Sequence, residues 1–190
     1  MAIQIAQDPA ADQVLTEEPF ALLAGMMLDQ QYPMEHAFRG PWKVRDRLGT
    51  FEPAAIAQAD PEEFAALCAQ TPAIHRFPGS MAARLQDLAR TIVEEYDGDT
   101  TRLWAEVTTG KELFARVTAL PGFGKQKAQI FVALLAKQLG VRPEGWERVV
   151  GDYGLDGYRS VADVVDGTSL QKVRDFKQQK KAAAKASAGS

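Results

Sequence analysis

An all-α fold is predicted by three features of the 190-residue sequence. Apolar residues recur at helical spacing through most of the chain, prolines and acids stand where such runs begin, and no segment alternates as a half-buried strand would. Hydrophobic residues make up 46% of the chain, enough to bury a real core, and no internal repeat is visible.

Residues 1–15 mix Ala, Asp and Gln around Pro9 with little periodicity and read as a partly ordered lead-in. "EEPFALLAGMMLDQQYP" opens on acids and Pro19, carries Phe20, Leu22, Leu23, Met26 and Met27 on an apolar face, and closes at Pro33, which predicts a buried helix. "MEHAFRGPWKVRDRLG" predicts a second helix, interrupted near Gly40 and Pro41. "DPEEFAALCAQ" begins with an Asp cap and a proline at the first helical position. A longer helix is expected over "FPGSMAARLQDLARTIVEEYDGD", capped by Ser80, with Met81, Leu85, Leu88 and Ile92 at helical spacing.

"GKELFARVTA" and "KQKAQIFVALLAKQLG" are the arms of a helical hairpin over residues 111–139. Leu113, Phe114 and Val117 share a face in the first arm; Ala128, Phe131, Val132, Leu135 and Leu139 share one in the second. Beyond Pro143, "EGWERVV" reads as a short helix, "GDYGLDGY" as a loop, and "SVADVV" and "SLQKVRDFKQQKK" as further helices. The expected division is a lead-in over 1–15, a helical domain over 16–170, and a basic helix end with a flexible tail over 171–190.

The single cysteine, Cys68, excludes an intramolecular disulfide and any cluster or zinc site needing several thiolates, and a reducing, cytoplasmic setting fits. No apolar run approaches the roughly 20 residues needed to span a bilayer, so no membrane partner is expected. Isolated His36 and His75 suggest no metal site. Net charge is −3, but its distribution is uneven. Residues 1–64 carry eleven acids against four bases, whereas residues 111–148 carry seven bases against three acids. The last twenty residues add six bases, Lys172 to Lys185, against Asp175 alone. A polyanion therefore has a preferred side to approach.

Between the hairpin arms stands "LPGFGKQKA", residues 120–128. Pro121 stops the first helix, Gly122 and Gly124 admit backbone angles that side chains forbid, and the second helix begins at once, leaving unpaired N–H groups beside Lys125 and Lys127. Such a helix start suits a phosphate, although a tight helical hairpin also serves as a plain connection.

L-P-G-x-G followed by a basic residue and then K-A resembles the helix-hairpin-helix motif that grips a DNA phosphate. With "MMLDQQ", the "FPGS…YDGD" segment and "LGVRPEGWERVV", residues 19 to 150 resemble the helix-hairpin-helix (HhH-GPD) superfamily of base excision repair DNA glycosylases. The resemblance implies a two-lobed helical fold that binds double-stranded DNA at a damaged or mismatched base and extrudes a nucleotide. It assigns DNA contact to Leu120, Gly122, Phe123, Gly124, Lys125 and Lys127. Gln30 and Gln31 would serve the extruded base or its gap, with Gln126 and Trp146 at the pocket.

Three departures qualify the expected activity. The lysine nucleophile of family members that also cut the backbone is replaced by Gln126, so no lyase step is expected by that route. The four cysteines of the iron–sulfur members are missing, so no cofactor is expected. At the position of the family aspartate, by spacing from the hairpin, stands Glu144, which also reads as a helix-start acid; Asp152, the next candidate, also reads as a turn residue. Trp42, Trp104 and Trp146 offer rings on which a flipped base could stack, but each reads first as core or groove packing. The expectation is a monomeric, monofunctional DNA glycosylase hydrolysing the N-glycosidic bond. Its alternatives are a non-catalytic helix-hairpin-helix damage-recognition protein and a helical interaction protein without nucleic acid.

Overall fold

The computed structural model describes residues 2–189, and among these the regular structure is helical. Asp8 caps the first helix, α1 (Pro9–Glu17), by accepting from the Ala11 amide, and Ala11, Val14 and Leu15 turn inward. Ile3 and Ile5 are buried ahead of it. The N-terminal segment thus differs from the expected partly ordered lead-in: Ile3, Ile5, Ala6, Ala11, Val14 and Leu15 are buried, a pattern too short to show periodicity.

Helix α2 (Pro19–Leu28) is apolar all round, and Phe20 through Leu28 are all buried. A helix without a polar face must lie inside the protein. It touches α1, α3 (Met34–Leu48), α6 (Pro78–Tyr96) and α9 (Lys125–Gln138), so it joins two groups of helices. The first group adds α4 (Pro53–Gln58) and α5 (Pro61–Ala69), both packed on α6. The second contains α7 (Arg102–Ala105), α8 (Gly110–Thr118), α9 and α10 (Trp146–Val150), with 3-10 turns at Gly151–Gly154 and Val161–Asp163 and the final helix α11 (Gly167–Ala188).

Four local expectations are corrected. Helix α3 runs unbroken through Pro41. Ser80 lies inside α6, which starts at Pro78. "SVADVV" forms only a 3-10 turn capped by Ser160. The C-terminal segment continues as helix to Ala188 in place of a flexible tail, because its alanines, lysines and glutamines are strong helix formers and Asp166 with Ser169 closes a capping box at its start.

Candidate nucleic-acid interface

The turn between α8 and α9 is held from beneath. Leu120 and Phe123 are buried, Phe123 packs edge-on against Phe131 at 6.0 Å, and the Phe123 amide donates to the Leu120 carbonyl at 3.2 Å. Leu120 and Phe123 can therefore offer DNA only their backbone. Gly122 has φ +81°, a conformation that favours glycine, and a Cβ there would lie 3.1 Å from Met27 Cγ. Gly124 is a correction to the expected strain: its φ is −86° and its ψ −178°, which other residues adopt freely. A Cβ on it would meet nothing within 4 Å.

Gly124 caps α9 without a side chain, so the first amides of α9 have no capping acceptor. The backbone N–H groups of Gly124, Lys125, Gln126 and Lys127 find no acceptor among the described residues. Lys125 and Gln126 are exposed beside them, and Gln126 Nε2 donates to Tyr153 Oη at 2.8 Å.

Lys127 differs from the expectation of a phosphate-facing lysine. Its Nζ reaches inward and donates to the Met27 carbonyl at 2.9 Å, near the C-terminal end of α2. Burial pulls its ammonium down to about 8, against an opposing influence from Asp29. Asp29 directly follows α2 and is half-buried. Burial raises its carboxyl above the ordinary range, with Lys177 and Lys127 opposing that rise. Its carboxylate accepts no hydrogen bond from any described residue. Asp29 and the residues around it form a half-buried site beneath the turn, here called the recess.

Neighbours of Asp29 line that recess. Gln30 is anchored: its Nε2 donates to the Met27 carbonyl at 2.9 Å and its Oε1 accepts from Arg84 at 3.0 Å. His75 is buried; its Nε2–H donates to the Gln30 carbonyl at 2.9 Å, and its Nδ1 accepts from the Phe77 amide at 3.0 Å. These two bonds fix the neutral imidazole, in line with the lowering of its pKa by burial. His75 packs against Tyr32 at 4.7 Å on one side and Phe77 at 6.0 Å on the other, and Phe77 is 46% exposed, so an aromatic wall flanks the recess. Gln31, at φ +51°, stands exposed in the turn after α2.

Glu144 lies elsewhere. Its amide donates to the Thr108 carbonyl at 3.1 Å, and its carbonyl accepts from Gly110 at 2.8 Å, which pins it at the start of α8. The nine residues of α8, ~13 Å of rise, separate that point from the turn. The side chain of Glu144 is exposed. Trp146 is buried, its backbone pressed against Gly110 and its ring against Gly154, so it packs rather than stacks on a base. Asp152 is exposed in the 3-10 turn, beside the Tyr153 that bonds Gln126, and so shares the open end with α9. Trp104 is buried against Phe131 and Trp42 is half-buried, both as packing residues.

The structure thus brings Gln30 and Lys127 together, with Gln126 and Asp152 nearby, and leaves Glu144 and Trp146 at the other end of the hairpin. Asp29, Tyr32, His75, Phe77 and Arg84 were missed. Asp29 left a signal in the sequence, a lone acid directly after a wholly apolar helix, and Tyr32 follows it in the same turn; His75, Phe77 and Arg84 arrive from segments 45 or more residues away.

A family model described as HhH-GPD superfamily base excision DNA repair protein matches residues 24–188, from the second half of α2 through the recess and the hairpin to the end of α11. The chain belongs to that superfamily. It is a base excision DNA repair protein of the HhH-GPD class, and this membership implies DNA binding. No curated protein and no solved structure matches it significantly.

Proposed function

We propose that this HhH-GPD protein is a monofunctional DNA glycosylase acting on a damaged or mismatched base in duplex DNA. The unpaired amides of residues 124–127 take a backbone phosphate. Gln31 enters the gap left by an extruded nucleotide, and the base lies against Tyr32 and Phe77, which His75 backs from inside. The single observation carrying this reading is the half-buried carboxylate of Asp29 directly after α2, which accepts no hydrogen bond from the described residues and has Lys127 and Lys177 as neighbouring cations. Of the three candidate carboxylates, Asp29 is the enclosed one; Glu144 and Asp152 are solvent-exposed.

In the proposed reaction the bond between C1′ and the base nitrogen breaks, and its electron pair leaves with the base, which takes up a proton. The carboxylate of Asp29 stabilises the positive sugar, and a water molecule adds to C1′ and gives its proton to that carboxylate. Gln126 has no amine to form a Schiff base, and the Lys127 amine is engaged with the Met27 carbonyl.

The test is release of free base from a panel of damaged and mismatched duplexes, with borohydride added in parallel to abasic DNA. Base release without a trapped covalent adduct is expected. An adduct lost on Lys127→Arg replacement would make Lys127 a nucleophile and end the monofunctional reading. Duplex binding with no base released from any substrate would leave the non-catalytic damage-recognition reading, which the exposed position of Glu144 favours.

A further inference from the structure

Helix α11 is buried only near its start, at Ser169, Leu170 and Val173. Arg174 binds the buried Glu35 on α3, which fixes the helix against the first group. One turn on, Lys177 acts on Asp29 in the recess. Lys180 then lies over the ring of Tyr153 at 5.8 Å, and Tyr153 accepts from Gln126 at the start of α9. From Gln178 to Ala188 every residue is exposed, eleven residues or ~16 Å of helix facing solvent.

The second half of the helix carries one sign of charge. Lys177, Lys180, Lys181 and Lys185 have no acid among them, and residues 176–190 contain none. At 100° per residue the four lysines fall within an arc of about 140° on one helix face. Lysines four apart repel one another and weaken an isolated helix. Lys185 in the last turn suits the helix dipole, but the dipole accounts for one lysine and not for the stripe. The stripe begins beside the recess and runs on from the residue that Gln126 holds, so it continues the charge of the hairpin turn. By contrast, a surface cavity of about 580 Å³ at the N-terminal segment is lined by Asp8, Asp12 and Glu17, and repels a polyanion.

We infer that the exposed half of α11 is a second DNA-binding element, which lays Lys180, Lys181 and Lys185 along the backbone of the duplex held by the hairpin turn. The inference rests on the DNA-binding role of that turn. At 3.4 Å per base pair, ~16 Å of helix extends the contact by about five base pairs on one side of the extruded nucleotide. The contact is to phosphates, so it strengthens binding to all sequences alike.

The experiment is salt titration of duplex binding by the full chain and by the triple variant Lys180→Gln, Lys181→Gln, Lys185→Gln. Glutamine keeps helix propensity, and circular dichroism checks that the helix persists. Each phosphate contact contributes about 0.9 to the slope of log K against log salt, so the slope should fall by about 2 to 3, with affinity down at least about tenfold near 0.1 M salt. An unchanged slope in a variant that remains helical overturns the inference. If the triple variant keeps the slope while a Gly124→Ala variant binds weakly, the hairpin reading stands and only α11 fails. If the full chain does not bind duplex at all, both fail. Loss of binding to phosphatidylserine vesicles with the DNA slope unchanged would assign the stripe to an anionic lipid surface and overturn the DNA contact.

Discussion

The two ends of the hairpin use glycine for opposite purposes. At the closed end, a Cβ on Gly110 would come within 2.4 Å of the Trp146 Cα, so glycine is required because protein backbone already fills the space. At the open end, a Cβ on Gly124 would meet nothing within 4 Å, and its backbone is unstrained. What the protein leaves empty there, beside four unpaired amides, is room for something else. The carboxylates divide the same way: Glu144 belongs to the closed end through its bonds to Thr108 and Gly110, and Asp29 to the open end beneath the turn. One end is a joint and the other is a surface.

The largest expected effect separates the two acids. Asp29→Asn should reduce single-turnover base release by at least about a hundredfold, roughly 3 kcal/mol, while duplex affinity stays nearly constant, because the change removes charge and little volume. Glu144→Gln and Asp152→Asn should leave the rate within a few fold. An inactive Glu144→Gln with an active Asp29→Asn would move the chemistry to the closed end.

Next comes the joint itself. Gly110→Ala should lose about 2 kcal/mol in denaturant unfolding, since the added methyl meets backbone that cannot rotate away. Unchanged stability would show that the closed end yields, and the contrast between the ends would weaken.

A smaller effect concerns Lys127. Burial holds its ammonium at about 8 against the ordinary 10.5, so between those values the unfolded chain binds more protons than the folded one. The cost of burying the charge is fully present below pH 8 and is relieved as pH rises toward 10.5. Relative to Lys127→Gln, the unfolding constant of the unsubstituted protein should therefore fall by up to about tenfold per pH unit from pH 8 to 10. A flat difference would mean that the ammonium is solvated.

The fold was largely legible because its signals are local. The apolar run of α2, the Asp60 cap of α5 and the paired faces of the hairpin arms each announce one helix from its own residues. The hairpin itself was legible for the same reason. The recess was not, because Asp29, His75, Arg84 and Lys127 come from four segments and meet only through packing of α2 on α6 and α9. Lys127 was misdirected because being basic beside a glycine turn suggests a phosphate, whereas the carbonyl of Met27, a hundred residues earlier, draws it inward. Counting residues from the turn singled out Glu144 but could not show that α10 carries the chain back along α9, as the bonds from Gln129 to Val149 and from Gln126 to Tyr153 do.

Gly124→Ala is the most direct test of the claim that DNA docks at the open end of the hairpin. An alanine fits the backbone angles of Gly124 and touches nothing in the free protein, so melting temperature and fold should not change. Any loss of affinity then reports a contact made only in the complex. The expected result is duplex binding weakened about tenfold or more with stability unchanged and the loss equal across sequences. Duplex affinity equal to that of the unsubstituted protein would contradict the account, for it would mean that no phosphate approaches the amides at the start of α9.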